Sequence, residues 1–116
     1  MPDNGICELR AKIVKALANP LRLRIIDQLD TEEERCVCDL VEALGYDQPA
    51  VSKHLAILKN AGVVTSRHEG TRVLYRLRTQ CVKEFLACID RMILHDFEER
   101  QEEIRQLASS LKLKDE

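Results

Sequence analysis

The sequence predicts a mainly α-helical chain carrying one small β-hairpin, in the order α-α-α-α-β-β-α. Three observations lead there. Apolar residues recur at helical spacing almost throughout, and only residues 63–78 change to a period of two. A short helix ending at a glycine runs directly into an Arg-rich hairpin, the arrangement of a winged helix-turn-helix. Positive charge gathers in that same helix and hairpin.

Ile6, Leu9, Ile13, Val14 and Leu17 mark residues 6–18 as an amphipathic helix. Asn19-Pro20 starts the next, since Asn caps well and Pro fits the first helical position. Leu21, Leu23, Ile25, Ile26 and Leu29 continue it to near Asp30. Glu32, Glu33 and Glu34 read as a solvated connection before a short helix near 37–44, which Gly45 ends with a left-handed residue. The fourth helix starts at Asp47-Gln48-Pro49 and runs to about Asn60. Its buried stripe is Val51, Leu55 and Leu58, with Ser52, Lys53, Ala56 and Lys59 off the stripe.

Ala61-Gly62 stops that helix. Val73, Tyr75 and Leu77 then alternate with Arg72, Arg76 and Arg78, and Glu69-Gly70 supplies the turn of a β-wing over 63–78. A long last helix covers about 80–110, with Val82, Phe85, Ile89, Met92 and Ile93 on one stripe and Ile104, Leu107 and Leu111 resuming it. That is more apolar surface than one layer covers, which points to pairing with a second copy.

A length of 116 residues suits a single domain over 1–116, and 45% apolar with 33% charged residues excludes wholesale disorder. Two Tyr, two Phe and no Trp leave the core to Leu, Ile, Val and Ala. Apolar runs of a few residues exclude a membrane span, and the N-terminus MPDNGICELR is not a secretory signal. Five cysteines, an odd count in helix-like sequence, point to reduced thiols and a cytoplasmic location.

The net charge of −2 argues against nucleic acid only as an average. Residues 1–47 carry −4, residues 48–80 carry +5 and residues 81–116 carry −3. The basic part is the fourth helix plus the hairpin, so the helix is expected in a major groove and the wing on phosphates.

At this point the residues resemble a known family. Ala18-Asn19-Pro20-Leu21-Arg22-Leu23-Arg24-Ile25-Ile26, Cys36-Val37-Cys38-Asp39-Leu40, Gln48 to Leu58 and Gly62-Val63-Val64 with Arg67-His68-Glu69-Gly70 are similar to the ArsR/SmtB (arsenic-repressor) family. The resemblance covers about residues 10–80. It implies a homodimeric winged-helix transcriptional repressor, joined through first and last helices, that leaves operator DNA when a metal or metalloid binds. It also implies DNA contact by Gln48, Pro49, Ala50, Ser52, Lys53, His54 and Lys59, with helix-turn-helix residues 36–60, and by Arg67, His68 and Arg72 on the wing. His54 has partly buried packing as its other reading.

Cys36 and Cys38 stand at the family's sensing position. On an ideal helix they would be about 200° apart, so they chelate one ion only at a frayed or distorted helix start. Thiolates select soft ions, here trivalent arsenic or antimony first, then cadmium, lead or zinc. The alternative is two small buried apolar residues. Relatives that use a third nearby cysteine have it where this chain has Val41; others recruit one from the partner's N-terminal arm, which Cys7 would match.

Cys81 and Cys88 lie one residue before the apolar stripe, where packing at the core edge is their reading. The family's aspartate-x-histidine zinc site meets Asp90 and Met92 here, with only His95 nearby, so that site is expected to be absent. Thiol oxidation or persulfide sensing is the second functional reading. An enzyme is not expected: a catalytic cysteine needs a positioned base, and His54, His68 and His95 are all remote from Cys36 in sequence.

Overall fold

The computed structural model describes residues 4–115. Helix α1 spans Ile6–Leu17, and α2 spans Pro20–Gln28. Between them Asn19 is extended, and its side-chain oxygen accepts the N–H groups of Leu21 at 2.9 Å and Arg22 at 3.1 Å. Two of the first-turn donors of α2 are thereby satisfied, as the Asn-Pro pair predicts. The helix stops at Gln28, slightly before the expected Asp30, because Leu29 turns extended to bury its side chain.

In the acidic connection Glu32 and Glu33 are exposed as expected, and Glu34 is half-buried. The connection leads into a two-residue strand, β1 (Arg35–Cys36), which the sequence periodicity did not reveal. Helix α3 (Val37–Leu44) ends at Gly45 with φ of 75°, the left-handed residue expected there. Helix α4 covers Gln48–Asn60, with Asp47 as its cap accepting the Ala50 N–H at 2.9 Å. Strands β2 (Val64–Glu69) and β3 (Arg72–Leu77) form the hairpin, with Glu69 opposite Arg72 and Gly70 in the turn at φ of 62°. The sheet is antiparallel in the order β1-β3-β2, so β3 is its central strand. Helix α5 occupies Cys81–Asp115.

The chain divides into two units, Met1–Val82 and Lys83–Glu116. In the first, Ile25 and Ile26 of α2, Leu40 of α3, and Val51, Leu55 and Leu58 of α4 are fully enclosed, with Leu77 of β3 and Val64 of β2 closing the core. The predicted α4 stripe is therefore the buried one. The alternation expected in the wing holds for Val73, Tyr75 and Leu77 against the exposed Arg72, Arg76 and Arg78, with Leu74 as an addition. Leu74 is buried on the face shared with Arg72 and Arg76, because β1 pairs along that edge of β3. On α1, Leu17 is buried while Ile6, Leu9, Ile13 and Val14 remain exposed.

In the second unit Met92, Ile93, Leu94, Phe97, Ile104, Leu107 and Leu111 are all exposed. Among the described residues no helix is long and apolar enough to cross a membrane.

Candidate nucleic-acid interface and metal centre

Recognition by a helix requires polar side chains on its outer face, and α4 has them. Gln48, Pro49, Lys53, Ala56 and Lys59 are exposed, and Ala50 and Ser52 are half-buried. The turn leading into α4 is tied down by Arg24 of α2, whose Nη1 donates to the Tyr46 hydroxyl at 2.8 Å. That bond joins α2 to the α3–α4 turn, and the Asp47 cap with Pro49 in the first turn sets where α4 begins.

His54 sits differently from its neighbours. It is half-buried, its Nδ1 is enclosed without a hydrogen-bond partner, and burial, then the charges of Arg22 and Lys53, lower its pKa. This is closer to the packing alternative than to an exposed base reader.

On the wing, His68 and Arg72 are exposed near the hairpin tip. Arg67 is exposed but occupied. Its Nε donates to both carboxylate oxygens of Glu34, at 2.9 and 2.8 Å, and its Nη2 donates to Glu69 at 2.8 Å. The hydrogen bond to Arg67 holds the Glu34 carboxyl below its ordinary pKa, and the two carboxylates raise that of Arg67. A wing arginine expected to meet phosphate is thus already neutralised inside the protein. Glu34 had no signal in the sequence beyond its place in an acidic run.

The cysteine motif starts α3. Cys36 is the N-cap, in extended conformation, and Cys38 lies in the first turn. The separation of about 200° therefore never arises, because one of the pair is outside the helix. Their Cα atoms are 5.3 Å apart, and the two sulfurs are joined in a disulfide rather than standing as two free thiols. Cys36 is buried.

Asp39 belongs to the same cluster. Its N–H donates to Cys36 Sγ at 3.3 Å, and its carboxylate accepts the Cys36 N–H at 3.2 Å, a reciprocal capping box. The two sulfurs and an Asp39 oxygen lie within 4.8 Å of one another. One oxygen and two sulfurs suit a soft or borderline ion once the pair is reduced, so the residues present fit a metal or metalloid. A Cys-x-x-Asp cap pattern was legible in the sequence and would have nominated Asp39.

The remaining candidates lie outside that cluster. Cys7 is exposed on α1 and Val41 is half-buried. Cys81 and Cys88 are exposed rather than packed at a core edge, and Cys88 Sγ accepts from Arg91 at 3.1 Å. His95 is exposed and meets Glu99 at 3.1 Å along α5.

A helix-turn-helix whose outer helix is basic, followed by a basic hairpin, defines a winged-helix DNA-binding regulator. The chain belongs to the arsR family of bacterial regulatory proteins, whose family model matches residues 19–66. It is 50% identical over 76 residues to the HTH-type transcriptional repressor SmtB of Mycobacterium tuberculosis, covering 66% of this chain and 56% of that protein. It is 44% identical over 69 residues to the arsenical resistance operon repressor of Escherichia coli, covering 60% of this chain and 59% of that protein. The chain thus spans little more than half the length of these curated relatives. A homodimeric winged helix-turn-helix DNA-binding domain from Mycobacterium bovis, solved by NMR and described as a possible ArsR-family regulator, superposes with a TM-score of 0.73. It is 33% identical, and the match covers 85% of this chain and 93% of that one.

Proposed function

We propose that this chain is a homodimeric transcriptional repressor, released from double-stranded operator DNA by a thiophilic metal or metalloid at Cys36 and Cys38. Trivalent arsenic or antimony ranks first, then cadmium, lead or zinc. One observation carries the reading: Cys36 is at once the cap of α3, a strand residue opposite Leu74 in the wing's sheet, and part of the Cys36–Cys38–Asp39 cluster. The arsenical repressor among the relatives supports the choice of effector. The homodimeric neighbour supports the pairing.

DNA contact is assigned to Gln48, Pro49, Ala50, Ser52, Lys53 and Lys59 of α4 and to His68 and Arg72 of the wing. His54 supports α4 from its half-buried place, and Arg67 contributes once Glu34 releases it. Cys36, Cys38 and Asp39 would hold the ion, and a bound ion would cross-link the last residue of β1 to the first turn of α3. Cys7 of α1 is the candidate for an additional donor from a second copy. Ligation requires thiolates, so a thiol reductant must first convert the disulfide to two thiols, itself becoming a disulfide. The two thiols lose their protons as the ion binds. Once Cys36 Sγ and Asp39 serve as ligands, the reciprocal cap they form is lost. The start of α3, which leads through the Tyr46 turn into α4, must then be rebuilt. Reorienting α4 in two protomers spoils the spacing of the recognition helices, about 34 Å on a duplex.

The disulfide favours a second reading, in which oxidation of Cys36 and Cys38 itself governs DNA binding. One titration separates the two. Reduced protein on a labelled duplex from upstream of its own gene is challenged with arsenite, cadmium, zinc, peroxide and polysulfide. Release by arsenite or cadmium, weakening DNA affinity about 5- to 150-fold, fits the proposal. Release by oxidants and by no metal fits the second reading.

A further inference from the structure

The acidic N-terminal half of the chain contains a basic cavity that segment charge conceals. Lys12 and Lys15 of α1 and Arg22 of α2 line a space of about 370 Å3 with Ala16, Ile57 and Asn60, and no carboxylate lines it. Among the described residues, none of the three cationic side chains has an ion pair or hydrogen bond. The Nε of Arg22 is enclosed and has no acceptor. A cleft lined by three cationic side chains and no carboxylate favours an anion by charge.

Its position says which anion. Ile57 and Asn60 belong to α4, and at 100° per residue Asn60 shares a flank with Lys53 and Ala56 on the outer face. A helix about 10–12 Å across nearly fills a major groove about 12 Å wide, which brings the phosphate walls against its flanks. We infer that Lys12, Lys15 and Arg22 form a docking site for a backbone phosphate of the bound duplex, separate from the recognition face and the wing. The inference rests on the DNA-binding reading above. A phosphodiester supplies the negative charge that the guanidinium of Arg22 and the two ammonium groups face. Such a contact positions α4 without reading sequence.

The test uses the full-length reduced protein and two labelled duplexes, one from upstream of its gene and one unrelated. Lys12→Gln with Lys15→Gln should weaken binding to both by about tenfold and flatten the log–log salt dependence by about one per lost phosphate contact. Oligomeric mass and thermal midpoint should match the wild type. Arg22→Lys, which keeps the charge but loses the guanidinium fork, should weaken both duplexes by a smaller factor. Unchanged affinity and salt slope in the double variant, while Lys53→Gln weakens binding, overturns this site and leaves the functional reading intact. Failure of the wild type to bind either duplex at low salt overturns both. Millimolar inorganic phosphate that shifts the Arg22 Nε–H resonance, where duplex does not, marks a free-anion site and overturns the assignment to DNA.

Discussion

Cys36 stands directly opposite Leu74, so the cysteine motif and the wing share one three-stranded sheet. On its other side β3 pairs Leu74 with Arg67, which puts one strand between the cysteine and the wing's outer arginine. A movement of β1 therefore reaches the wing through backbone hydrogen bonds, independently of the path through α3 to α4.

Cys36→Ser tests the cap and the sensor together. Ser is a good N-cap, so DNA affinity and thermal midpoint should stay close to those of the wild type while arsenite no longer releases DNA. Cys36→Ala should add a loss of about 1 kcal/mol, read as a lowered unfolding midpoint. Release by arsenite that survives in both variants places the effector elsewhere.

Glu34→Gln frees Arg67 for phosphate. Carboxylate and phosphodiester compete for one guanidinium, so removing the internal acid should strengthen DNA binding severalfold at low salt and steepen its salt dependence by about one per protomer. Anisotropy titrations over a salt series measure both. In an Arg67→Ala background the substitution should have no effect, and a gain that persists there sinks the idea of competition.

His54 gives the protein a pH dependence of definite sign. Burial holds its pKa below the ordinary imidazole value, so the unfolded chain protonates first as pH falls through about 6.5. The stability His54 contributes is complete above that pH and declines as pH falls toward the lowered folded value. Thermal midpoints should therefore drop between about pH 7 and pH 5.5, and His54→Gln should flatten that decline. The same slope in variant and wild type would falsify the assignment.

Phe97→Glu addresses the exposed face of α5. Phe97 is 59% exposed and Ile93 51% in the single chain, an apolar surface that calls for a partner. The charge should shift sedimentation from dimer toward monomer and weaken operator binding, since one protomer reads one half-site. An unchanged dimer mass at micromolar concentration rules this face out of the interface.

Much of this architecture is visible in residue order. The Asn19-Pro20 start, the Gly45 stop, the Val51–Leu55–Leu58 stripe and the Gly70 turn are local signals, decided within a few residues of backbone. Strand β1 was not visible, because a two-residue strand carries no periodicity and exists only through its pairing with Leu74 and Tyr75. Asp39 stood in plain view beside the cysteines, but its part in the cluster depends on the reciprocal cap.

Composition, periodicity and the charge segregated into residues 48–80 suffice for a winged helix with a basic reading unit, because helix period, turn chemistry and local charge are short-range properties. Which charges are free to meet DNA is a different matter. Arg67 counts among the wing's basic residues yet is held by Glu34, 33 positions earlier. Lys12, Lys15 and Arg22 sit in an acidic segment yet converge beside α4 without a counter-ion. Both outcomes depend on which distant residues folding brings within hydrogen-bond range, and Coulomb attraction acts over that distance rather than along the chain.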